Sequence, residues 1–283
     1  MGYLREVITA LIIALLAVFL ATHAASLMAV GNDEMPREWF GKRKVVDRFG
    51  EITRIAVIHY LVDVGDPDND GSQDGYELMG IRWDLSKYPS GVPYIINPSG
   101  GIAHGLDASS VISEIKEAME VWDQAVDLND YVPPYNTVYG VELFSNTPQI
   151  NYNAKASTNK PDHRNVITWG RAQKGVIAYA VIWYVTSTGE IVDADIVLNS
   201  YYRWGIADGN EGTADLSGKF DIRNIVTHEA GHICGLADLY DNKYSAMTMY
   251  GYSKYGEELK RSLEPGDIAG VQKVYDYYRK NKT

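Results

Sequence analysis

His228, Glu229 and His232 are the residues of this chain whose types and spacing could do chemistry together. Histidines four apart share one face of a helix, where both imidazoles can grip a single ion. Glu229 sits next to His228 and can reach a water held on that ion. Zinc suits this donor set, because in catalytic sites it takes three protein ligands and keeps a fourth position for water. The third ligand must come from outside the helix. Gly235 tolerates the left-handed turn that ends a helix, so the chain can double back and deliver Asp238. A carboxylate is an accepted zinc ligand. The chemistry on offer is hydrolysis by an activated water, with Glu229 as the general base.

Other elements must hold that helix in place. Asp221 can cap it, and Gly235 ends it. Upstream, Ser109 and Ser110 can cap a helix that runs to about Val126. Val111, Ile115, Ala118, Trp122 and Ala125 repeat there at steps of four and three, one apolar helical face. Pro265 can open a third helix with Ile268, Val271 and Tyr275 on one side. Strand-like runs lie at 55–62, 76–83, 94–96, 137–144, 165–169, 176–185 and 191–198, separated by Gly, Pro or Asn turns. Residues 31–54 are mostly polar and read as a linker or short pro-segment. The order of helix, strands, helix, irregular segment and helix predicts an α+β domain of about two hundred residues.

The run His228-Glu229-Ala230-Gly231-His232-Ile233-Cys234-Gly235-Leu236-Ala237-Asp238 resembles the extended motif HExxHxxGxxH/D of the metzincins. Ser245-Ala246-Met247-Thr248-Met249-Tyr250-Gly251 resembles their Met-turn, with Met249 the better match to the methionine beneath the metal and Met247 the alternate. Weaker similarity to matrixin-like members extends over residues 76–278. The resemblance implies a zincin domain with a twisted mixed sheet, an active-site helix and a C-terminal helix. It implies a zinc endopeptidase whose substrate pairs with an edge strand, for which residues 176–180 are the candidate. Two departures matter. Most members have His where this chain has Asp238, and the added negative charge should lower the metal's Lewis acidity. Residues 31–75 contain no cysteine, which rules out the thiolate-switch latency of many matrixins.

The rest of the chain bounds the reading. The net charge of −11 argues against nucleic acid, which needs a basic face. Residues 1–30 read as a targeting segment, with Arg5 ahead of an apolar run at 7–20 and small residues around Ala24. Read as one apolar stretch, residues 7–30 could instead anchor the chain in a membrane once. Either reading puts the remainder outside the cell, secreted or held at the outer face of the membrane. The expected division is 1–30 signal or anchor, 31–75 N-terminal extension or pro-segment, and 76–283 catalytic domain. Cys234 is the single cysteine, so no intrachain disulfide can form. Asp66, Asp68, Asp70, Asp74 and Glu77, with Gly71 at the sixth position, fit a twelve-residue calcium loop. The alternative there is a solvated acidic hairpin. Protein or peptide is the expected substrate. A metal-binding protein without turnover, and a zinc hydrolase acting on something other than a peptide, are the competing classes. The intact Glu229 argues against the first, since a structural site needs no base.

Overall fold

Long apolar runs and polar hairpins together build one mixed sheet of seven strands. The computed structural model describes residues 43–61, 75–127, 142–207 and 215–280. The targeting segment, Asp66, Asp68, Asp70 and Asp74 of the acidic loop, and most of the strand expected at 137–144 lie outside these residues.

The strands are β1 (Arg43–Asp47), β2 (Gly50–Tyr60), β3 (Tyr94–Ile96), β4 (Gln149–Ile150), β5 (Asn165–Gly170), β6 (Val176–Val185) and β7 (Ile191–Asn199). They lie in the order β1-β2-β6-β7-β5-β3-β4. The pairs from β1 to β7 are antiparallel; β7, β5, β3 and β4 run parallel. β6 and β7 are buried at almost every position. The unbroken apolar sequence of β6 is what a strand covered on both faces requires, while β7 also buries Asp193, Asp195 and Asn199. A second, two-stranded sheet pairs β8 (Trp204–Gly205) with β9 (Phe220–Asp221).

Three expectations are corrected here. Residues 43–47 are a strand, where composition suggests a linker. A hairpin turn at Arg48 and Phe49, closed by Gly50 at φ 98°, folds β1 back on β2, and pairing rather than burial holds it. Residues 76–83 do not form a strand; Leu78 and Arg82 make isolated bridges to Leu236 and Glu190. Gly80, at φ 73°, breaks the extended run. Residues 176–180 are not an edge, because β2 lies antiparallel along β6 from Ile52 to Tyr60.

Four α-helices complete the fold: α1 (Ser99–Ala103), α2 (Ala108–Asp127), α3 (Ile222–Ile233) and α4 (Pro265–Lys280). Asp107, rather than the serines, caps α2: its Oδ2 accepts from the Ser110 N–H at 2.9 Å. The hydroxyls of Ser109 and Ser110 donate to the same oxygen. A carboxylate suits this end better than a hydroxyl, because it also complements the helix dipole. Val111, Ile115, Ala118, Trp122 and Ala125 are all buried, as their spacing predicts. That face packs on α3, and the Trp122 indole donates to the Thr227 carbonyl at 2.9 Å. α4 closes the other side of α2, with Gln272 Nε2 donating to the Ala125 carbonyl at 3.0 Å. Among the described residues no helix is long and apolar enough to cross a membrane.

Candidate metal centre

α3 is clamped at both ends. At its start Asp221 Oδ1 accepts from the Asn224 N–H at 2.7 Å, an N-cap. Arg261 Nη1 donates to both oxygens of this buried carboxylate at 2.8 Å, and Arg261 also pairs with Glu114 of α2 at 2.8 Å. At its end Gly235 takes φ 102°. Its N–H donates to the His232 carbonyl at 2.9 Å, and the Leu236 N–H to the Gly231 carbonyl at 3.0 Å. This is a Schellman end, and it reverses the chain within three residues. A Cβ at Gly235 would meet the Ile81 carbonyl oxygen at 2.3 Å, so no other residue fits without backbone movement. The Trp83 indole satisfies the last free carbonyl, that of Ile233, at 2.9 Å.

The reversal brings Asp238 to the two histidines. His228 Nε2 and His232 Nε2 are 3.1 Å apart, and Asp238 Oδ1 lies 3.2 and 3.4 Å from them. All three side chains are almost wholly buried. Each ring spends its other nitrogen on a carbonyl: His228 Nδ1 on Thr248 at 2.7 Å, His232 Nδ1 on Leu236 at 2.9 Å. Carbonyls only accept, so both Nδ1 atoms carry protons. Both Nε2 atoms of the neutral rings therefore offer lone pairs into the space that Asp238 Oδ1 also faces. Asp238 Oδ1 has no hydrogen-bond donor. Three buried lone pairs that converge this way need a cation between them. A tetrahedral zinc with bonds of about 2.0–2.1 Å sets its ligand atoms about 3.3 Å apart, which is the spacing found. The donor set thus fits zinc. Without a cation the cluster would instead hold a proton. Burial opposes charge on His232, yet Asp238 beside it pushes the ring up to about 9. Burial likewise works against the Asp238 carboxylate, but the two histidines hold it well below the usual range.

Glu229 points into the same space. It is fully buried, and neither carboxylate oxygen has a hydrogen-bond partner. Burial pushes its carboxyl up to about 8. A buried carboxylate without donors is costly and needs a ligand or a role. His59 of β2 stands beside it, with Nδ1 3.7 Å from Glu229 Oε1 and its ring 3.8 Å from the ring of His228. Burial drives the His59 pKa well below its ordinary value, so the contact with Glu229 is not an ion pair.

Met249 packs against the helix that carries both histidines. It is buried against α3 at Gly231, the residue before His232. A Cβ at Gly231 would lie 2.1 Å from Met249 Sδ and 2.7 Å from the Trp122 ring. Gly231→Ala is therefore expected to destabilise the fold by about 1–3 kcal/mol through overpacking. Denaturant titration reads it, and an unchanged midpoint would show that Met249 yields freely. Met247, the alternate, is only partly buried.

Sequence reasoning missed three supporting residues. Asp267 of α4 accepts from the Thr248 N–H at 2.9 Å and the Met249 N–H at 3.1 Å, which fixes the carbonyl that orients His228. Tyr240 donates to Asp238 Oδ2 at 3.0 Å, leaving Oδ1 to face the histidines. His59 is the third; in sequence it is one histidine in a strand, with no spacing to mark it. Tyr240→Phe is expected to weaken zinc binding by about 10-fold, since partners of a ligand tune its affinity. Competition against a chelating dye measures this, and equal affinity would make the contact incidental. The Tyr250 hydroxyl, close in sequence to Met249, donates to Asn242 Oδ1 at 2.6 Å. Of the five candidate calcium ligands only Glu77 lies among the described residues, and its backbone carbonyl accepts from the Ala237 N–H at 3.0 Å.

Comparison with known proteins points the same way as the fold. A search among curated proteins returned no match. The model of the matrixin family matches residues 91–276, a stretch that holds α2, α3, the turn at Met249 and most of α4. That match spans well over half of the chain, and the mixed sheet with its clamped helix is the α+β zincin architecture. The chain belongs to the matrixin family of zinc metalloendopeptidases.

Proposed function

We propose that this protein hydrolyses peptide bonds in extracellular proteins, with zinc held by His228, His232 and Asp238 and with Glu229 as the general base. The observation that carries this reading is the convergence of three buried lone pairs beside a carboxylate that has no other partner. Bound zinc supplies Lewis acidity, which acidifies a water towards a pKa of about 7 and polarises a carbonyl. Glu229 takes the proton from the attacking water and returns it to the leaving amine. The carbonyls of Thr248 and Leu236 keep both imidazoles in the tautomer that presents Nε2. Met249 packs against Gly231, beside the second histidine of the helix.

Peptide is favoured as substrate because an extended chain lies along β6 and passes directly over Glu229. Residues 76–283 form the catalytic part in this reading, 31–75 a pro-segment, and 1–30 the signal or anchor that places the enzyme outside the cell. The acidic run from Asp66 to Glu77 is proposed to take calcium on the strength of its ligand spacing. A calcium titration with no change in melting temperature would remove that second metal.

The test of the main reading is metal analysis together with casein hydrolysis on the full chain. One zinc per chain, and cleavage that a chelator stops, is the expected result. A chain purified with zinc available that holds none would overturn the reading.

A further inference from the structure

β2 does more than extend the sheet. From Ile52 to His59 it pairs antiparallel with β6. At Tyr60 it acquires a second neighbour on its other flank: the Tyr60 N–H donates to the Gly251 carbonyl at 3.2 Å, and the Ser253 N–H to the Tyr60 carbonyl at 3.0 Å. The Leu61 N–H then returns to the Gly175 carbonyl at 2.9 Å. The strand is thus threaded between β6 and the segment that follows Met249. That segment is itself pinned, since the buried Lys260 Nζ donates to the Tyr252 carbonyl at 3.0 Å and to Ser253 Oγ at 2.9 Å. An extended peptide bound by strand addition would need these same two rows of backbone groups. Where β2 crosses α3 it lays the His59 ring on His228 and against Glu229, and the ring has no solvent exposure. Neither of its nitrogens has a hydrogen-bond partner.

We propose that residues 50–61 are an internal occupant of the peptide-binding track, with His59 seated as a plug over Glu229, so that the enzyme is latent until this strand leaves. The proposal rests on the zinc-peptidase reading given above. It supplies a form of latency that needs no thiolate. The strand presents the His59 imidazole to the base. A substrate must compete with an intramolecular strand, and its apparent affinity falls by the fraction of time the track is free.

The test uses the zinc-loaded full chain, His59→Ala and Ala56→Pro. The first variant removes the plug; the second breaks the middle of the β2 ladder, where Ala56 pairs with Val181. Two readouts are taken: hydrolysis of a quenched fluorescent peptide, and the calorimetric Kd of acetohydroxamate, a small chelating probe. Both variants are expected to hydrolyse faster and to bind the probe more tightly, each by about tenfold or more if the track is occupied over nine-tenths of the time. Equal probe affinity and equal hydrolysis in all three chains would overturn the proposal. Tighter probe binding in the variants without hydrolysis in any chain would uphold the plug and sink the endopeptidase reading. Zinc analysis before the probe is added separates a failure of the metal site from a failure of the plug.

Discussion

Glu229→Gln is expected to lower peptide hydrolysis by about a thousandfold or more while zinc stays at one per chain. The amide has the size of the carboxylate but cannot accept a proton from water. Glu229 is not one of the three residues proposed to hold zinc, so the metal should remain. The loss corresponds to about 4 kcal/mol of transition-state stabilisation. It should appear in kcat with little change in KM, because the backbone ladder of β6 that would hold a peptide is untouched. The comparison is best made also in the His59→Ala chain, where the uncovered site gives the larger signal. A Gln variant that cleaves at the parent rate would remove Glu229 from the chemistry, whatever the zinc content.

Stripping the zinc is expected to cost the fold about 4 kcal/mol when free zinc had stood near a thousand times its Kd. For a domain of this size that is a fall in melting temperature of about 8–16 °C. The reason lies in the ligand geometry. Two neutral imidazoles and a carboxylate face one another across 3.1–3.4 Å with no room to turn away, since both Nδ1 atoms are tied to carbonyls. The apo site must take up a proton to quiet them, and it is His232, pushed up to about 9, that accepts it. Thermal scans at fixed zinc, with and without chelator, give the number. His232→Ala should show no difference between the two scans. A parent chain that melts at one temperature in both would mean that the cluster holds no metal.

Much of this site is legible in the sequence because its logic is local. A spacing of four fixes the shared face of His228 and His232, and Gly235 marks the reversal that delivers Asp238. The buried face of α2 follows from apolar periodicity, and the span of β6 from an unbroken apolar run. What escapes is whatever depends on a partner distant in the chain. His59 lies far from Glu229 in sequence, and a single imidazole in a strand has no period to betray it. Asp267 looks like an ordinary first-turn acid of α4, yet it holds Thr248 and Met249. β1 is polar and mostly exposed, so composition reads it as a linker; only its ladder with β2 makes it a strand. The reverse error occurs at 76–83, where strand-forming residues meet a backbone break at Gly80. The zinc metalloendopeptidase assignment rests on the family match and is independent of these particulars.

The sequence of β6 carries no charged residue and no proline from Val176 to Val185. Natural sheets blunt their open edges with such residues, because a bare apolar edge recruits other chains. β6 has no such guard, and none is needed while β2 covers it. If the hairpin of β1 and β2 departs as proposed, the edge of β6 would face solvent with no such guard. The activated enzyme would then be the more aggregation-prone of the two forms, and a second copy of the same strand, arriving in trans, would be a ready partner for that edge. Solubility and latency would in that case be two duties of one segment, and an activated preparation should be handled dilute, with a peptide ligand present to guard the edge that β2 has vacated.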